Sequence, residues 1–344
     1  MKMGFLQQGI ATTQFFLFGK KHCTKTGYLN HIKHYQDPVQ PATIVDAGLS
    51  DGIDLTGKTF LITGANQGVG KEIATYAAAK NAHVYMLCRN AERAAAAQQE
   101  IRATTNNDKV DVLLGDVSEP EHIDRVVKEF GGTKLDCLVC NAGALFNDKR
   151  VNSQGKEITL MSHLVCGSYQ LTKLLLPKLK KAAEENGEPR VIYVSSGGMY
   201  NTKFPSWEQA SSTGKFQEKY DGQFVYSYAK RGQVLLAERF TKDYPDITFL
   251  SCHPGWTQTS AVDEAYGDQA KYLQPMRTTW EGAEGICWLA STQKKNLKSG
   301  EFYLDRAVQT KHLGGLFMTE GSFTKNSQEE VDLMLKHLQE ECGV

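Results

Sequence analysis

The sequence predicts an α/β protein built on a doubly wound parallel sheet with helices on both faces. From Lys58 onward, short uncharged apolar segments alternate with longer segments of helical periodicity, which is typical of a parallel sheet covered by helices. A glycine-rich segment follows the first apolar one, and later apolar segments end in small or polar residues. Ligands of such sheets bind at the carboxyl ends of the strands.

Each predicted element follows from this alternation. Six apolar segments have the length of strands that are buried on both faces, and they are residues 59–63, 83–88, 110–114, 135–140, 191–195 and 247–252. Helices are predicted between them, at residues 69–80, 91–103 and 120–130, in a long segment that ends near Ala183, and at 226–243.

A chain of 344 residues can form one large α/β domain. We expect this domain at residues 55–315, after an N-terminal arm (1–54) and before a C-terminal extension with a helix (316–344). The 39 basic residues balance 39 acidic ones, so a nucleic-acid partner is not expected. No apolar segment approaches the ~20 residues of a membrane-spanning helix.

Eight cysteines are scattered without the spacing of a disulfide framework, which favours a reducing compartment and therefore the cytoplasm. Cys137 and Cys140 form a C-x-x-C pattern, but strand alternation points them to opposite faces. We interpret both as core residues and expect no metal site.

The N-terminal arm has two interpretations. Residues 15–18 read Phe-Phe-Leu-Phe and are followed by Lys20 and Lys21, with no acidic residue before Asp37. The interpretation that we favour packs these phenylalanines on the arm's own domain. The alternative is contact with a membrane surface, or a targeting sequence for a compartment such as the mitochondrion.

The segment after the first strand contains Gly64, Gly68 and Gly70 in the spacing G-x-x-x-G-x-G. Gly64 permits a tight turn, Gly68 lets the backbone approach a pyrophosphate, and Gly70 permits close packing of helix on strand. Free amides at the start of the helix would bind the phosphates. The segment predicts a Rossmann-type dinucleotide loop rather than an ordinary strand-to-helix turn. Asn66, Gln67 and Val69 complete this loop.

The residue after the second strand predicts the type of cofactor. An acidic residue there would bind a ribose 2′-hydroxyl and select NAD, whereas an arginine would pair with a 2′-phosphate. The segment reads Leu-Cys-Arg-Asn and places Arg89 at this position. Arg89 therefore predicts NADP(H), and the alternative is a solvent-exposed arginine at the start of a helix.

Two further turns are placed to contact this cofactor. Asp116 and Val117 follow the third strand, where the carboxylate would accept a hydrogen bond from adenine. Asp116 could equally cap a helix. Asn141-Ala142-Gly143 follows the fourth strand and combines small residues with a turn-forming amide, which suits close approach to the cofactor and ties neighbouring strands together.

Tyr226 and Lys230 lie four residues apart on a predicted helix and therefore share a face. Carbonyl reduction needs a proton donor beside the carbonyl oxygen while hydride reaches the carbon. A tyrosine can serve if its pKa, ordinarily ~10, is lowered, and the lysine ammonium can stabilise the phenolate. The alternative is an ordinary pair on the surface of a helix.

The fifth strand ends in Ser195 and Ser196, before two glycines. A hydroxyl at this edge would donate a hydrogen bond to the substrate oxygen. Strand alternation turns only one of the two toward the cofactor, and we favour Ser196 over Ser195.

Together, the glycine loop, Asn141-Ala142-Gly143, the serines, Tyr226-x-x-x-Lys230 and the segment His253-Pro254-Gly255-Trp256 resemble the short-chain dehydrogenase/reductase family. The resemblance spans roughly residues 55–306. It implies that Lys230 also binds the nicotinamide ribose, that Pro254 and Gly255 border the nicotinamide, and that a homo-oligomer is one option. Residues 24–28, 195–199 and 305–306 also resemble one narrower branch, which names no substrate.

One position departs from the family pattern. The family carries an asparagine on the long helix, where it completes a proton relay with tyrosine and lysine. Counting forward from Gly155 places His163 there, whereas counting backward from Gly167 places Leu164 there, which indicates an inserted residue. His163 either replaces the asparagine in the relay or is an ordinary core histidine.

Two aromatic segments flank the predicted site. One follows Ser196 and the other follows the Pro-Gly turn, and together they contain Tyr200, Phe204, Trp207, Phe216, Tyr220, Trp256, Tyr266, Tyr272 and Trp280. Such residues could line a cleft for a lipophilic carbonyl compound or could fasten long loops to the domain.

The sequence thus predicts an NADP(H)-dependent oxidoreductase that moves a hydride between the nicotinamide and a small carbonyl or alcohol substrate. One alternative is a nucleotide-binding scaffold or redox sensor with weak turnover, because the relay is altered at His163. Another is an NAD(H)-dependent alcohol dehydrogenase.

Overall fold

The structure is a computed structural model that describes residues 5–35, 52–185, 187–314 and 323–344. Its strands form one sheet in the order β3-β2-β1-β4-β5-β6-β7-β8. The first seven pair in parallel, and β8 pairs antiparallel to β7. The strands are Thr59–Thr63 (β1), His83–Cys88 (β2), Val110–Leu114 (β3), Cys137–Cys140 (β4), Arg190–Val194 (β5), Thr248–Cys252 (β6), Phe302–Leu304 (β7) and Ala307–Gln309 (β8).

The α-helices before β4 are Phe5–His22 (α1), Lys25–His31 (α2), Gly68–Ala79 (α3), Ala91–Thr105 (α4) and Pro120–Glu129 (α5). A long helix, α6, begins with Ile158–Leu160, continues as the π-helix Met161–Gln170 and ends with Leu171–Glu184. The later α-helices are Trp207–Ala210 (α7), Gly222–Asp243 (α8), Ser260–Tyr266 (α9), Thr279–Ser291 (α10) and Gln328–Cys342 (α11). Short 3-10 helices are Ile32–His34, Gly197–Asn201, Gly214–Lys219, Gly267–Leu273 and Lys294–Asn296.

The predicted fold class is confirmed: the sheet is mostly parallel, and its winding direction reverses between β1 and β4. Several details differ from the prediction. The fourth strand begins at Cys137 rather than at residue 135, and the prediction did not include β7, β8 or the helices α1, α2, α7, α9 and α10. The helix expected at 226–243 begins four residues earlier, because the Asp221 carboxylate accepts hydrogen bonds from the amides of Gln223 and Phe224 and so caps α8.

The two faces of the sheet pack against two apolar layers. The helices α3, α4 and α10 cover one face, and α5, α6 and α8 cover the other. Cys137 belongs to the first layer and Cys140 to the second, as strand alternation predicted. Both thiols are buried and free, and no cluster of metal-binding side chains occurs among the described residues.

The N-terminal arm packs against the loop that follows β6. The carbonyl of Cys23 accepts hydrogen bonds from the Trp256 amide (2.7 Å) and from Arg277 Nε (2.9 Å). Arg277 in turn forms a buried ion pair with Asp305, whose second partner is His31 of α2 (2.8 Å). At the other end of the chain, α11 packs against the π-helical part of α6. The expected boundary at 315/316 lies outside the described residues, and the three-part division stays a prediction.

Within the described ranges, no helix combines the length and the apolar character that crossing a membrane requires.

Candidate active site

A cleft of about 930 Å³ opens at the carboxyl ends of the central strands, near the upper end of the ~300–1,000 Å³ typical of ligand sites. All the site residues predicted from the sequence line it, although they come from segments that lie far apart in the chain. They are Gly64, Asn66, Gln67, Gly68, Val69, Gly70, Arg89, Asp116, Val117, Asn141, Ala142, Gly143, Ser196, Tyr226, Lys230, Pro254 and Gly255.

The glycine loop between β1 and α3 is shaped by its glycines. Gly64 and Gly68 have φ of 67° and 55°, a conformation that other residues rarely adopt. A side chain at Gly70 would collide with the carbonyl oxygen of Gly64. No side chain caps α3 at Gln67, so the amides at the start of this helix point at the cleft without a side-chain partner.

Thr63 at the end of β1 holds the turn after β4. Its hydroxyl accepts hydrogen bonds from the amides of Asn141 (2.9 Å) and Ala142 (2.8 Å), and its carbonyl accepts one from Asn141 Nδ2 (3.0 Å). A Cβ on Gly64 would lie only 3.1 Å from Ala142 Cα. The two turns therefore pack together where the sheet reverses its winding direction.

Two arginines border the cleft beside β2. Arg89 is largely exposed and donates a hydrogen bond to Asp116 Oδ2 (3.2 Å). Arg93, in the first turn of α4, also lines the cleft and was not singled out from the sequence. In the sequence, only its position four residues after Arg89, about one helical turn, could have indicated that Arg93 lies near the cleft.

Asp116 shapes its own turn rather than capping a helix. Its Oδ1 accepts hydrogen bonds from the amide (2.9 Å) and the hydroxyl (2.7 Å) of Ser118, whereas the N-cap of α5 is Glu119. Burial alone would raise the pKa of Asp116, but these bonds and the Arg89 guanidinium hold that pKa below its ordinary value. The carboxylate is therefore charged at neutral pH.

Tyr226 and Lys230 share a face of α8 at the bottom of the cleft, with Lys230 Nζ 5.4 Å from the centre of the Tyr226 ring. The expected lowering of the tyrosine pKa is not found. Burial raises the pKa of Tyr226, although a hydrogen bond with Ser196 opposes the rise. Burial also lowers the pKa of Lys230 to about 7. The expectation failed because it counted the ammonium charge but not the loss of solvent around both groups.

The two serines after β5 have different partners. The hydroxyl of Ser195 is buried and donates to the carbonyl of Lys230 (2.8 Å). The hydroxyl of Ser196 lines the cleft, accepts from the Gly198 amide (3.3 Å) and forms a hydrogen bond with Tyr226. Ser195 therefore supports the backbone of α8, while Ser196 faces the tyrosine.

Behind Lys230 lies a buried hydrogen-bond chain that the sequence did not reveal. Lys230 Nζ donates to the Val194 carbonyl (2.6 Å) and to Gln233 Oε1 (3.2 Å). Gln233 Nε2 donates to the carbonyl of His163 (3.0 Å) and to Ser168 Oγ (3.0 Å). The only signal was that Gln233 lies three residues after Lys230 on a helix and therefore shares its face.

His163 occupies the cleft at the position where the long helix departs from the family pattern. Its ring meets the Tyr226 ring edge to face at 5.2 Å, and Nε2 bonds the carbonyl of Ala144 (3.1 Å). Nδ1 has no partner among the described residues. Burial holds the pKa of His163 well below its ordinary value, so the ring is neutral and Nδ1 is an acceptor when Nε2 carries the proton. Leu164 instead packs against Gly232.

The π-helix Met161–Gln170 explains why counting from either end of this segment gave different results. A π-helical turn holds one more residue than an α-helical turn, so it accommodates an insertion while the helix continues on both sides. His163 lies within this stretch and faces the cleft.

Few of the aromatic residues expected as a lining reach the cleft. Trp256 and Tyr266 line it. Tyr200 and Phe204 are buried in the core, Trp207 stacks on His337, and Tyr220 bonds Glu157. Aromatic lining comes instead from segments that the sequence did not indicate, namely Phe15 and Phe16 of α1 and Phe224 of α8.

These features fit a nicotinamide dinucleotide. Gly64 and Gly70 leave little or no room for side chains in the turn that would hold a pyrophosphate, the amides at the start of α3 have no side-chain cap, and two arginines border the cleft where the ribose is expected. Lys230 and Ser196 lie at the other end of the cleft, next to Pro254 and Gly255.

The sequence model of the short chain dehydrogenase family matches residues 58–270 of this chain. The chain therefore belongs to the short-chain dehydrogenase/reductase family, whose members are oxidoreductases that bind a nicotinamide cofactor and act on small molecules.

Among its relatives, dehydrogenase/reductase SDR family member 12 of Homo sapiens is 34% identical over 301 residues, which are 87% of this chain and 89% of the relative. The narrower resemblance predicted from the sequence is thus confirmed. Retinol dehydrogenase 12 of Homo sapiens is 33% identical over 261 residues, 74% of this chain and 79% of that protein. A solved structure, a putative short chain dehydrogenase from Escherichia coli CFT073, has a TM-score of 0.58 at 20% identity over 72% of this chain and 96% of that one, and it supports the fold.

Proposed function

We propose that this protein is an NADP(H)-dependent oxidoreductase that interconverts a lipophilic carbonyl compound and its alcohol. The proposal rests on one observation. Ser196, Tyr226 and Lys230 lie close together at one end of a cleft, and the glycine loop 64–70 lies at the other end. The first three residues come from the end of β5 and from α8, and a purely structural role would not require all three at one cleft.

In the reductive direction, the bound cofactor supplies the hydride. Ser196 would donate a hydrogen bond to the carbonyl oxygen and so position it beside Tyr226. The Tyr226 hydroxyl would then give its proton to that oxygen as negative charge develops. Because burial raises the pKa of Tyr226, the phenol is protonated at neutral pH, which suits a proton donor. Lys230 would add positive charge behind the ring and so ease the loss of the proton.

Two observations support NADP(H) over NAD(H). The residue directly after β2, where an acidic side chain would bind a ribose 2′-hydroxyl, is Arg89. Arg89 and Arg93 border the cleft there, and the Arg89 side chain is 70% exposed and free to turn toward a phosphate.

The lipophilic substrate is supported by the apolar and aromatic lining at the Tyr226 end, which includes Leu145, Phe224 and Trp256. The name of the relative retinol dehydrogenase 12 agrees with an apolar alcohol as substrate. A cytoplasmic location, membrane contact through the arm and oligomer formation stay predictions from the sequence.

The test combines cofactor titration with turnover. We expect energy transfer from tryptophan to bound cofactor with NADPH at lower concentrations than with NADH, and oxidation of NADPH in the presence of apolar aldehydes or ketones. Tyr226→Phe should bind NADPH normally but lose turnover, whereas Tyr228→Phe, two residues further along α8, should retain turnover. Tight NADPH binding without turnover across a broad carbonyl panel would instead favour a scaffold or redox sensor, and NADH preference would favour the NAD(H)-dependent enzyme.

A further inference from the structure

The N-terminal helix α1 lies outside the segment that the family model matches, yet it is fastened to the active-site loop. Its C-terminal end meets the Pro-Gly-Trp turn through the Cys23 carbonyl, which binds the Trp256 amide and Arg277. Lys20 Nζ donates to the Gln274 carbonyl (2.8 Å). Gly19 lies so close to the Trp256 indole that a side chain there would collide with it. The position of α1 is therefore fixed relative to the cleft.

Two side chains of α1 enter the end of the cleft that contains Tyr226. Phe15 packs on the backbone of Gly197, where an added side chain would collide with its ring, and Gly197 directly follows Ser196. A Cβ on the next glycine, Gly198, would lie 3.6 Å from the Tyr226 ring. Two consecutive glycines thus bring Phe15 and Tyr226 to opposite sides of one narrow stretch of backbone.

Phe15 and Phe16 extend one aromatic surface with Trp256. The Phe15 and Phe16 ring centres lie 6.2 Å and 6.0 Å from that of Trp256. Phe16 is 40% exposed, so part of its ring is available to contact a molecule in the cleft that it lines. Phe18, on the same helix, packs on Tyr200 and His22 and does not line the cleft.

We propose that Phe15 and Phe16 of α1 form one wall of the substrate site and select large apolar carbonyl compounds. The inference rests on the proposed function, because it assigns a wall to the same site. Short substrates would bury little surface against α1 when they reach Ser196 and Tyr226. Large apolar substrates would bury additional surface against the two phenyl rings, and that burial is the source of selectivity.

The test compares Phe15→Ala and Phe16→Ala with Phe18→Ala as a matched control on the same helix. With the NADPH-loaded protein, KM is measured for propanal and for decanal. The two wall variants should each raise the KM of decanal about tenfold, as expected from the loss of one buried phenyl ring. The KM of propanal should change much less than that of decanal in both wall variants, and Phe18→Ala should leave the ratio of the two KM values unchanged.

A second measurement keeps the inference separate from the proposed function. Decanamide, an unreactive analogue of decanal, is titrated calorimetrically into the NADPH-loaded protein. We expect both wall variants to weaken its binding about tenfold and Phe18→Ala to leave it unchanged. If no carbonyl compound is reduced but the three variants bind decanamide as expected, the inference about Phe15 and Phe16 is supported and the proposed function is refuted. If aldehydes are reduced but decanamide does not bind, or if Phe18→Ala weakens it as much as Phe15→Ala, the wall is refuted.

Discussion

At the scale of single residues, we expect cofactor choice to depend on the guanidinium groups of Arg89 and Arg93, which border the cleft. Among the described residues, the Arg89 side chain is hydrogen-bonded to Asp116, and that carboxylate already accepts two hydrogen bonds from Ser118. The Arg89–Asp116 pair is largely exposed on the arginine side, so it contributes little to stability. Arg89 is therefore able to exchange this partner for a phosphate at small cost.

We expect Arg89→Asp to weaken NADPH binding by about 10- to 100-fold, because a charge-assisted hydrogen bond to phosphate contributes ~1.5–3 kcal/mol. NADH binding should be unchanged or improved. Fluorescence titration with both cofactors measures the change. The control is Arg102→Asp, which alters an arginine of α4 that does not line the cleft. Equal loss of affinity for both cofactors in Arg89→Asp would contradict the assignment.

We expect Gln233 to act on the reaction through Lys230 rather than by touching substrate. Its Oε1 accepts a hydrogen bond from the ammonium, which stabilises the charged form. The other titratable groups that face Lys230 are Cys140, Cys252, His163, His253 and Tyr226. Burial holds the thiols and imidazoles neutral, so Gln233 is the group through which the charge on Lys230 is most easily tuned.

We expect Gln233→Leu and Gln233→Glu to move the alkaline limb of kcat/KM in opposite directions. Loss of the acceptor lowers the pKa of Lys230 further and moves the limb to lower pH, whereas a carboxylate raises that pKa and moves it to higher pH. The measurement is the pH profile of carbonyl reduction. Gln170→Leu, which alters a buried glutamine of the π-helix rather than of α8, should leave the profile in place. Shifts of the same sign in both Gln233 variants would refute this role.

At the scale of elements, the π-helix and the turn after β4 are fitted to each other. The His163 ring occupies the space into which a side chain at Gly143 would project. The insertion in α6 therefore has a counterpart in the Asn-Ala-Gly turn, and the two together form the floor of the cleft beside Tyr226. The loss of stability caused by a larger residue in the turn should therefore be reduced by a smaller residue in the π-helix.

Gly143→Ala should destabilise the protein by roughly 1–3 kcal/mol, as overpacking in a buried site does, and should lower turnover because the displaced ring contacts Tyr226. The double variant Gly143→Ala with His163→Ala should recover most of this stability, since the space then opens. Urea unfolding of the two single variants and the double variant measures the coupling. Additive losses would show that Gly143 and His163 do not meet.

At the scale of the whole molecule, the arm and the C-terminal half of the domain form one continuous structure around buried polar groups. His253, Arg277 and Asp305 lie together where the arm meets the loop after β6. Burial lowers the pKa of His253 to about 3, so the folded protein holds this imidazole neutral, while the unfolded chain takes up a proton below its ordinary pKa near ~6.5.

The sign of the pH effect follows from this difference. The unfolded state binds more protons than the folded state below about pH 6.5, so stability falls as pH falls. His253 alone should remove roughly 2 kcal/mol of the free energy of unfolding between about pH 7 and about pH 5. Urea unfolding at both pH values measures it. His253→Asn should reduce the dependence by about this amount, whereas His337→Asn in α11 should leave it unchanged, and an unchanged slope in His253→Asn would contradict the buried neutral imidazole.

The sequence by itself determined the sheet, its winding and the cofactor cradle. These features depend on local rules: uncharged apolar strands, glycines where a side chain cannot fit, and an i, i+4 pair on one helix face. Positions 64–70, 141–143, 226 and 230 could therefore be placed in one cleft before the fold was known, because parallel strands all end at the same edge.

Only the tertiary structure decided which surrounding groups face that cleft and how they are charged. Phe15 and Phe16 of the arm line the cleft, whereas Tyr200 and Phe204 are buried in the core. The sequence could not predict this, because long-range packing and not spacing determines where loops and arms lie. The tertiary structure also raised the pKa of Tyr226 and lowered that of Lys230. Loss of solvent depends on everything that packs around a group, and that arrangement is fixed only when distant segments such as α1, α6 and α8 come together.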